Sequence, residues 1–294
     1  MILALAAIFV MSTILAGCAP EEEEPADPDE EEHELAGEEV DLVYVEWACA
    51  VATSYLLQEV LEAEFGVDVN MTSAEAGMAY SDIAEGGMDI FPAAWLPVTH
   101  ESYYEEYSDD LNDLGPLYEG ARIGLVVPEY VEVDSIEDLD EIGDDVDWEV
   151  TGIEPGAGIM GATETALETY DSLEDYSLID SSDAAMTAEL DTVYGNEEPI
   201  IVTGWTPHWK FGSYDLKFLE DPENVYGDAE TINALTRSGL GEDMPQISEF
   251  MENFFLEEEQ LHDLMARAEE TGDEEGSAAE WAEENRDVVE GWLP

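Results

Sequence analysis

The sequence predicts an α/β protein made of two lobes, each a mainly parallel sheet flanked by helices, with a ligand site in the cleft between them. Two observations lead to this prediction. Short apolar segments typical of strands alternate with amphipathic segments typical of helices, and such alternation forms parallel sheets covered by helices. Three strand-like segments are followed closely by a tryptophan, and open α/β sheets bind ligands beyond their strand ends.

The strands and helices expected for the first lobe come at the start of the folded part of the chain. The clearest helix has Leu57, Leu61 and Phe65 four residues apart and ends at Gly66, which is the amphipathic pattern and glycine cap of a surface helix. We predict strands at 42–45, 67–71, 88–91 and 121–127, and helices at 53–65, from 73 to 86, and from 99 through 104.

A second, similar set follows, and its most distinctive feature is a glycine-rich turn, Glu154-Pro-Gly-Ala-Gly-Ile-Met160, ahead of a helix. The helical C-terminal part must pack somewhere, and we expect it to complete the first lobe. The first lobe is therefore assigned to 41–127 plus about 213–294, and the second to 128–212. We predict further strands at 148–153, 176–179, 199–203, 216–219 and 232–235. Helices are predicted from 135, after the glycine-rich turn, at 183–194, from 245, and from a capping box at 277–280 to about 292.

The charge of the chain is extreme, with 6 Lys and Arg against 76 Asp and Glu and a formal net charge of −70. Self-repulsion on this scale destabilises a compact state in dilute buffer, whereas molar salt shortens the Debye length to about 3 Å. We therefore expect a protein that works in concentrated salt. Nucleic acid is not an expected partner, because its recognition needs a basic face. Seven Trp and thirteen Tyr argue against a disordered chain.

The N-terminal residues resemble a lipoprotein leader. Residues 2–16 form an apolar run of signal-peptide length, too short for a comfortable membrane span. The run ends in Leu15-Ala16-Gly17-Cys18, similar to a lipobox, so we expect a leader at 1–18 and a lipid on Cys18. No Lys or Arg precedes the run, which departs from the pattern, and the alternative is a plain secretory signal. Acidic residues 19–40 are expected to be a disordered tether.

Trp47, Trp95 and Trp205 each stand at a predicted strand end, and we expect them to meet in the cleft. A cation over one aromatic ring face gains about 0.5–2 kcal/mol. A quaternary ammonium suits such a box, because it is weakly hydrated and leaves no hydrogen-bond donor unsatisfied. One tryptophan after a strand is more often a core residue, but three with the same placement favour a box.

The turn 156–159 starts a helix, so its free backbone N–H groups favour an anion. We expect a carboxylate there, since no basic side chain stands nearby to hold a phosphate. His100 adds one hydrogen bond, either charge-assisted or neutral. A cation at one end and a carboxylate at the other describe a small betaine, held with roughly micromolar affinity.

Three segments resemble the glycine betaine substrate-binding proteins of ABC transporters. They are Ala94-Trp-Leu-Pro-Val-Thr-His100, Pro155-Gly-Ala-Gly-Ile-Met160 and Val202-Thr-Gly-Trp-Thr-Pro-His-Trp209. The resemblance extends from about Asp41 to the C-terminus. It implies a two-lobe periplasmic-binding-protein fold, type II-like, that closes around its ligand in the cleft between the lobes.

The resemblance also implies how the ligand is held. In that family a cage of three tryptophans surrounds the trimethylammonium group, and two backbone N–H groups and a histidine hold the carboxylate. Ala48-Cys49, after the first tryptophan, is less polar than the family pattern. The residues onto which these roles map here are Trp47, Trp95, Trp205, His100, Gly158 and Ile159.

The sequence thus predicts a monomeric lipoprotein on the outer face of the cell membrane that captures glycine betaine for an ABC permease. Osmoprotectant uptake fits the expected high-salt habitat, and no enzyme activity, cofactor or metal is expected. Proline betaine, carnitine and choline are alternative ligands, although choline lacks the carboxylate. A secreted glycoside hydrolase is the alternative from another class, with Glu46 and Glu154 as the two acids near the motifs.

Overall fold

The structure is a computed structural model that describes residues 35–294, all of which belong to one compact unit. The predicted leader 1–18 with Cys18, and most of the predicted tether 19–40, lie outside the described residues. Within 35–294, none of the helices combines the length and the apolar character needed to cross a membrane.

Nine strands in the described part of the chain form one curled, mixed sheet. Each of the nine predicted strands overlaps one of these strands, although several differ in length. The strands are β1 (Glu39–Tyr44), β2 (Asp68–Ser73), β3 (Ile90–Leu96), β4 (Leu111–Pro128), β5 (Glu149–Thr151), β6 (Ser177–Ile179), β7 (Val202–Thr206), β8 (Leu216–Phe218) and β9 (Glu230–Arg237).

Strand β4 joins two halves of this sheet. We call the first sheet the half in which β1 pairs in parallel with β2 and β3, and β9 lies antiparallel between β3 and β4. The second sheet is the half in which β7 lies antiparallel to β4, followed by β5 and β6 in parallel, with β8 pairing the end of β4. Antiparallel strands therefore lie where the halves join, and parallel strands lie outside them.

Strand β4 is much longer than the predicted strand at 121–127. It pairs with β9 as far as Ala121 and with β7 from Arg122 onward, so the chain passes from the first sheet to the second between these residues. Its first part carries register shifts, and Gly115 and Gly120 have φ of +98° and +87°. These bulges and the polar residues between them break the alternation that reveals a strand in the sequence.

Strand β3 also continues further than predicted. The sequence suggested that it stops before Pro92, because proline has no N–H for the strand ladder. Its register instead shifts between Phe91 and Ala94, and such a bulge accommodates a proline. Trp95 therefore lies near the end of the strand itself rather than in the following loop, and Trp205 lies near the end of β7 in the same way.

The described part of the chain has eleven α-helices, and α1, α2, α4 and α8 among them pack directly on strands of the sheet. Helices α9 and α10 pack against α1, and α8 packs against β4, so the C-terminal segment covers the first sheet. The helices are α1 (Ala48–Phe65), α2 (Ala76–Ala84), α3 (Glu101–Tyr107), α4 (Gly158–Thr169), α5 (Asp183–Gly195), α6 (Lys210–Ser213), α7 (Leu240–Asp243), α8 (Pro245–Asn253), α9 (Glu258–Thr271), α10 (Glu274–Glu284) and α11 (Arg286–Trp292).

The predicted capping box at 277–280 is wrong. Asp273 caps α10 instead, since its side chain accepts a hydrogen bond from the N–H of Gly276. Ser277 lies inside the helix and is buried, with its hydroxyl 2.8 Å from that of Thr271. Asp273 is an equally good N-cap residue, so local preference alone did not separate the two starts. The helix predicted to reach Trp292 is divided at Asn285 into α10 and α11.

Candidate functional site

The candidate site is a narrow cavity between the ends of strands from both sheets. Trp47, at the start of α1, and Trp95, on β3, belong to the first half, whereas Trp205, on β7, belongs to the second. Less than a tenth of each residue is exposed. The structure therefore brings the three strand-end tryptophans together around one cavity. The residues lining the cavity are Trp47, Trp95, Thr99, Ile123, Ile153, Ala157, Gly158, Ile159 and Trp205.

A hydrogen bond links the two halves at the edge of the cavity. The indole N–H of Trp47, just before α1, donates to a carboxylate oxygen of Glu154 in the loop after β5. Burial raises the pKa of Glu154, and the bond from Trp47 opposes this shift. The Glu154 carboxylate is therefore already engaged as the hydrogen-bond acceptor of the Trp47 indole. Glu46, the other acid weighed for a hydrolase, is exposed and lies outside the cavity lining.

His100 is fully buried next to Trp47, with the two ring centroids 5.7 Å apart. Its Nδ1 accepts the backbone N–H of Trp95 at 3.1 Å, so the hydrogen of the neutral ring is on Nε2. Nε2 has no hydrogen-bond partner among the described residues. Burial lowers the pKa of His100 to about 3. The residue is thus a neutral, unpaired donor, and it lies just outside the residues that line the cavity.

The first turn of α4, which starts at Gly158 and Ile159, also lines the cavity. N–H groups in the first turn of a helix have no acceptor within the helix, so they are available to an anion. A Cβ atom on Gly158 would lie 2.2 Å from the carbonyl oxygen of Thr99. Only glycine allows this close approach between α4 and the loop after β3.

A second link crosses the halves beside this contact. The hydroxyl of Tyr103, on α3, donates to the carbonyl oxygen of Gly156 at 2.8 Å. Gly156 has φ of +93°, a conformation that favours glycine. The glycine-rich turn thus combines a positive φ at its start with a close backbone contact at the head of α4.

Sequence reasoning missed a buried polar cluster next to Trp205. Asp183, His208 and Lys210 are all at least nine-tenths buried, and the ammonium of Lys210 lies 4.1 Å from the centroid of the Trp205 ring. The available signal was Lys210 itself, since a lysine five residues after a strand-end tryptophan is conspicuous in a chain with six basic residues.

The described residues give no support to metal or thiol chemistry. No group of three or more His, Cys, Asp or Glu side chains within 35–294 is placed to hold a metal ion. Cys49 is buried and free, and burial raises the pKa of its thiol to about 12, which keeps it protonated.

Comparison with known proteins gives a match over residues 38–284 to the family described as the substrate binding domain of ABC-type glycine betaine transport systems. The glycine betaine/carnitine transport binding protein of Listeria monocytogenes is 43% identical over 153 residues, which are 52% of this chain and 51% of that protein. The glycine betaine/proline betaine-binding periplasmic protein of Escherichia coli is 25% identical over 169 residues, again 52% and 51% of the two chains. The chain thus spans about half the length of the curated relatives it matches.

Two solved structures are similar over more of the chain. The lactococcal OpuAC, in its closed-liganded conformation with glycine betaine, has a TM-score of 0.83 and 36% identity, covering 87% of this chain and 100% of that one. The glycine betaine, L-proline-binding protein of Borrelia burgdorferi has a TM-score of 0.82 and 34% identity, covering 87% and 97%. Both are two-lobe periplasmic binding proteins, and the present fold is of this type.

Proposed function

Because this chain belongs to the family of substrate-binding domains of ABC-type glycine betaine transport systems, we propose that it captures glycine betaine outside the cytoplasm for an ABC importer. The family consists of substrate-binding transport proteins and not of enzymes. The first and second sheets are the cores of two lobes, and the ligand is enclosed when these lobes close. The observation that carries the proposal is the convergence of three indoles from both sheets beside unpaired hydrogen-bond donors.

The cation end of the ligand lies among Trp47, Trp95 and Trp205. Each ring contributes about 1–1.5 kcal/mol to the binding of a methylated ammonium, and the interaction does not require a hydrogen bond from the ligand. Rings from both sheets are needed to surround the group, so affinity depends on closure. A protonated primary amine fits less well, because its three donors find no acceptors among the indole faces.

The carboxylate end lies against the first turn of α4 and His100. The N–H groups of Gly158 and Ile159 are at the helix start, and the Nε2 hydrogen of His100 has no partner among residues 35–294. Together with three rings, two or three such hydrogen bonds give roughly 6–9 kcal/mol, a micromolar affinity before the free energy of closing the lobes is subtracted.

The binding test is a titration of tryptophan fluorescence in high salt with glycine betaine, proline betaine, carnitine and choline. We expect a saturable response to glycine betaine and weaker binding of choline, because choline leaves the donors of Gly158, Ile159 and His100 without an anion. Unmethylated glycine is the control ligand, since it keeps the carboxylate and loses the methyl groups. A response to none of the four ligands would refute the proposal, and equal affinity for choline would refute the carboxylate site.

We further propose that Cys18 is lipidated and holds the monomeric protein on the outer face of the cell membrane. The apolar run 2–16 and the lipobox-like end support this. Incorporation of a labelled fatty acid into the wild-type protein, and its loss in Cys18→Ala, is the expected result. Equal labelling of both proteins would contradict it.

A further inference from the structure

A buried carboxylate bridges the chain segments that carry two of the cavity tryptophans. Asp183 is the first residue of α5, and its Oδ2 accepts the backbone N–H of Ala48 at 3.0 Å. Ala48 follows Trp47 directly and begins α1, which packs on the first sheet. Helix α5 connects β6 to β7 of the second sheet. This hydrogen bond therefore crosses from one half of the molecule to the other.

The second oxygen of Asp183 is bonded on the Trp205 side. His208 Nδ1 accepts the backbone N–H of Lys210 at 3.1 Å, so its Nε2 carries the hydrogen and donates to Asp183 Oδ1 at 3.0 Å. The ring of His208 lies 4.8 Å from that of Trp205, centroid to centroid. One carboxylate thus contacts the residue after Trp47 and the histidine that packs on Trp205.

The charges in this cluster are balanced. Burial raises the pKa of Asp183, but His208, Lys210 and the N–H of Ala48 outweigh it, and the pKa lies below its usual value. Asp183 is therefore ionised and neutralises the Lys210 ammonium next to the Trp205 ring. Without that neutralisation, a positive charge would stand close to the proposed ammonium site and would repel the ligand.

We propose that Asp183 is a positioning residue for ligand capture, a clasp that ties the Trp47 segment to the Trp205 segment when the lobes close. The proposal rests on the proposed betaine-binding function. His208 and Lys210 satisfy Asp183 within the second half, and the bond to Ala48 is added only when the two halves meet. The clasp therefore stabilises the closed, liganded state over the open one, and its loss appears mainly as faster ligand release.

Ala48→Pro isolates the clasp from the folding of the chain. The first position of a helix accepts proline, because its N–H has no acceptor within the helix. Trp47 has φ of −95° and ψ of 141°, the extended conformation required before a proline. The substitution removes the N–H that Asp183 accepts. We expect the Kd for glycine betaine to rise about tenfold or more through faster dissociation, with the melting temperature of the ligand-free protein unchanged.

Asp183→Asn provides a second test. The NH₂ group of the new asparagine faces another donor, either the N–H of Ala48 or that of His208. The Lys210 ammonium also loses its counter-charge. The Kd for glycine betaine should therefore rise further than in Ala48→Pro. Glu189→Gln is the matched control, since Glu189 is exposed on the same helix and the charge change is identical. It should bind as tightly as wild type.

The outcomes separate the clasp from the function on which it depends. If the wild-type protein binds no betaine, the proposed function fails before the variants are compared. If wild type binds, and Ala48→Pro and Asp183→Asn keep its Kd and dissociation rate, the clasp is refuted. If Asp183→Asn does not fold, Ala48→Pro alone decides between these results.

Discussion

His100 is held as a neutral hydrogen-bond donor, and this bears on which charges the proposed betaine site accommodates. Its Nδ1 accepts the backbone N–H of Trp95, and its Nε2 has no hydrogen-bond partner in the part of the chain that the structure describes. The sequence left its protonation open, because the pKa of a histidine depends on its burial rather than on its neighbours in the chain. A neutral ring adds no positive charge near the indoles, which favours a ligand that brings its own cation.

The protonation of His100 predicts a flat pH profile for binding. Since burial lowers its pKa to about 3, the affinity for glycine betaine should stay nearly constant between about pH 5.5 and 7.5 at fixed salt. An imidazolium would instead lose affinity as the pH rises through that range. Isothermal titration calorimetry at several pH values distinguishes the two. His100→Phe, which removes the donor, should weaken binding about tenfold at every pH.

The contribution of the indoles is measured by truncation. Trp95→Ala and Trp205→Ala should each weaken glycine betaine binding by about 1–3 kcal/mol while the fold is retained. Trp209→Ala is the control, because Trp209 is half-buried near the same strand but does not line the cavity. Undiminished binding in either cavity variant, measured by calorimetry, would count against the cage.

At the scale of elements, the sequence predicted those whose pattern is regular and local. The spacing of Leu57, Leu61 and Phe65 identified α1, and the glycine turn located the start of α4. Prediction from the sequence failed where the hydrogen-bond ladder between strands is irregular, as in the bulged β3 and the first part of β4. The link between Asp183 and Lys210 was also out of reach, because tertiary packing brings these residues together across 27 positions.

The head of α4 gives a prediction with a matched control on the same helix. Gly158→Ala places a methyl group against the Thr99 carbonyl, 2.2 Å away, and should prevent the close contact between α4 and the loop after β3. We expect glycine betaine binding to be lost, with the ligand-free melting temperature largely kept. Gly161→Ala meets no atom within 4 Å and should leave binding unchanged. Retained affinity in Gly158→Ala would show that this contact is not needed for binding.

For the whole molecule, charge is the dominant feature. Four of the six basic residues, Lys217, Arg237, Arg267 and Arg286, pair with carboxylates in the structure. The Arg237–Asp89 pair is mostly buried, whereas pairs at the surface contribute about 0–1 kcal/mol each. Together the four pairs leave most of the 76 acidic residues uncompensated. Mobile cations from the solvent therefore have to screen the remaining repulsion.

Stability should consequently depend on salt. Lowering the ionic strength from molar to millimolar salt is expected to unfold or strongly destabilise the protein, as followed by circular dichroism and thermal melting. An uncharged osmolyte at equal osmolality is the control, and it should not restore the fold to the same extent as salt. Full folding and unchanged stability at low ionic strength would refute the screening argument.

Strand β4 has a further consequence for the proposed closure of the lobes. Because one ribbon pairs with β9 up to Ala121 and with β7 from Arg122, neither half can slide freely past the other. Rotation of one half relative to the other has to come from changes in the backbone dihedral angles of a few residues. These residues lie next to Gly120 and in the segment between β8 and β9, where the chain returns to the first sheet. We expect the motion to follow one fixed axis, so that each cycle of opening and shutting retraces the same path.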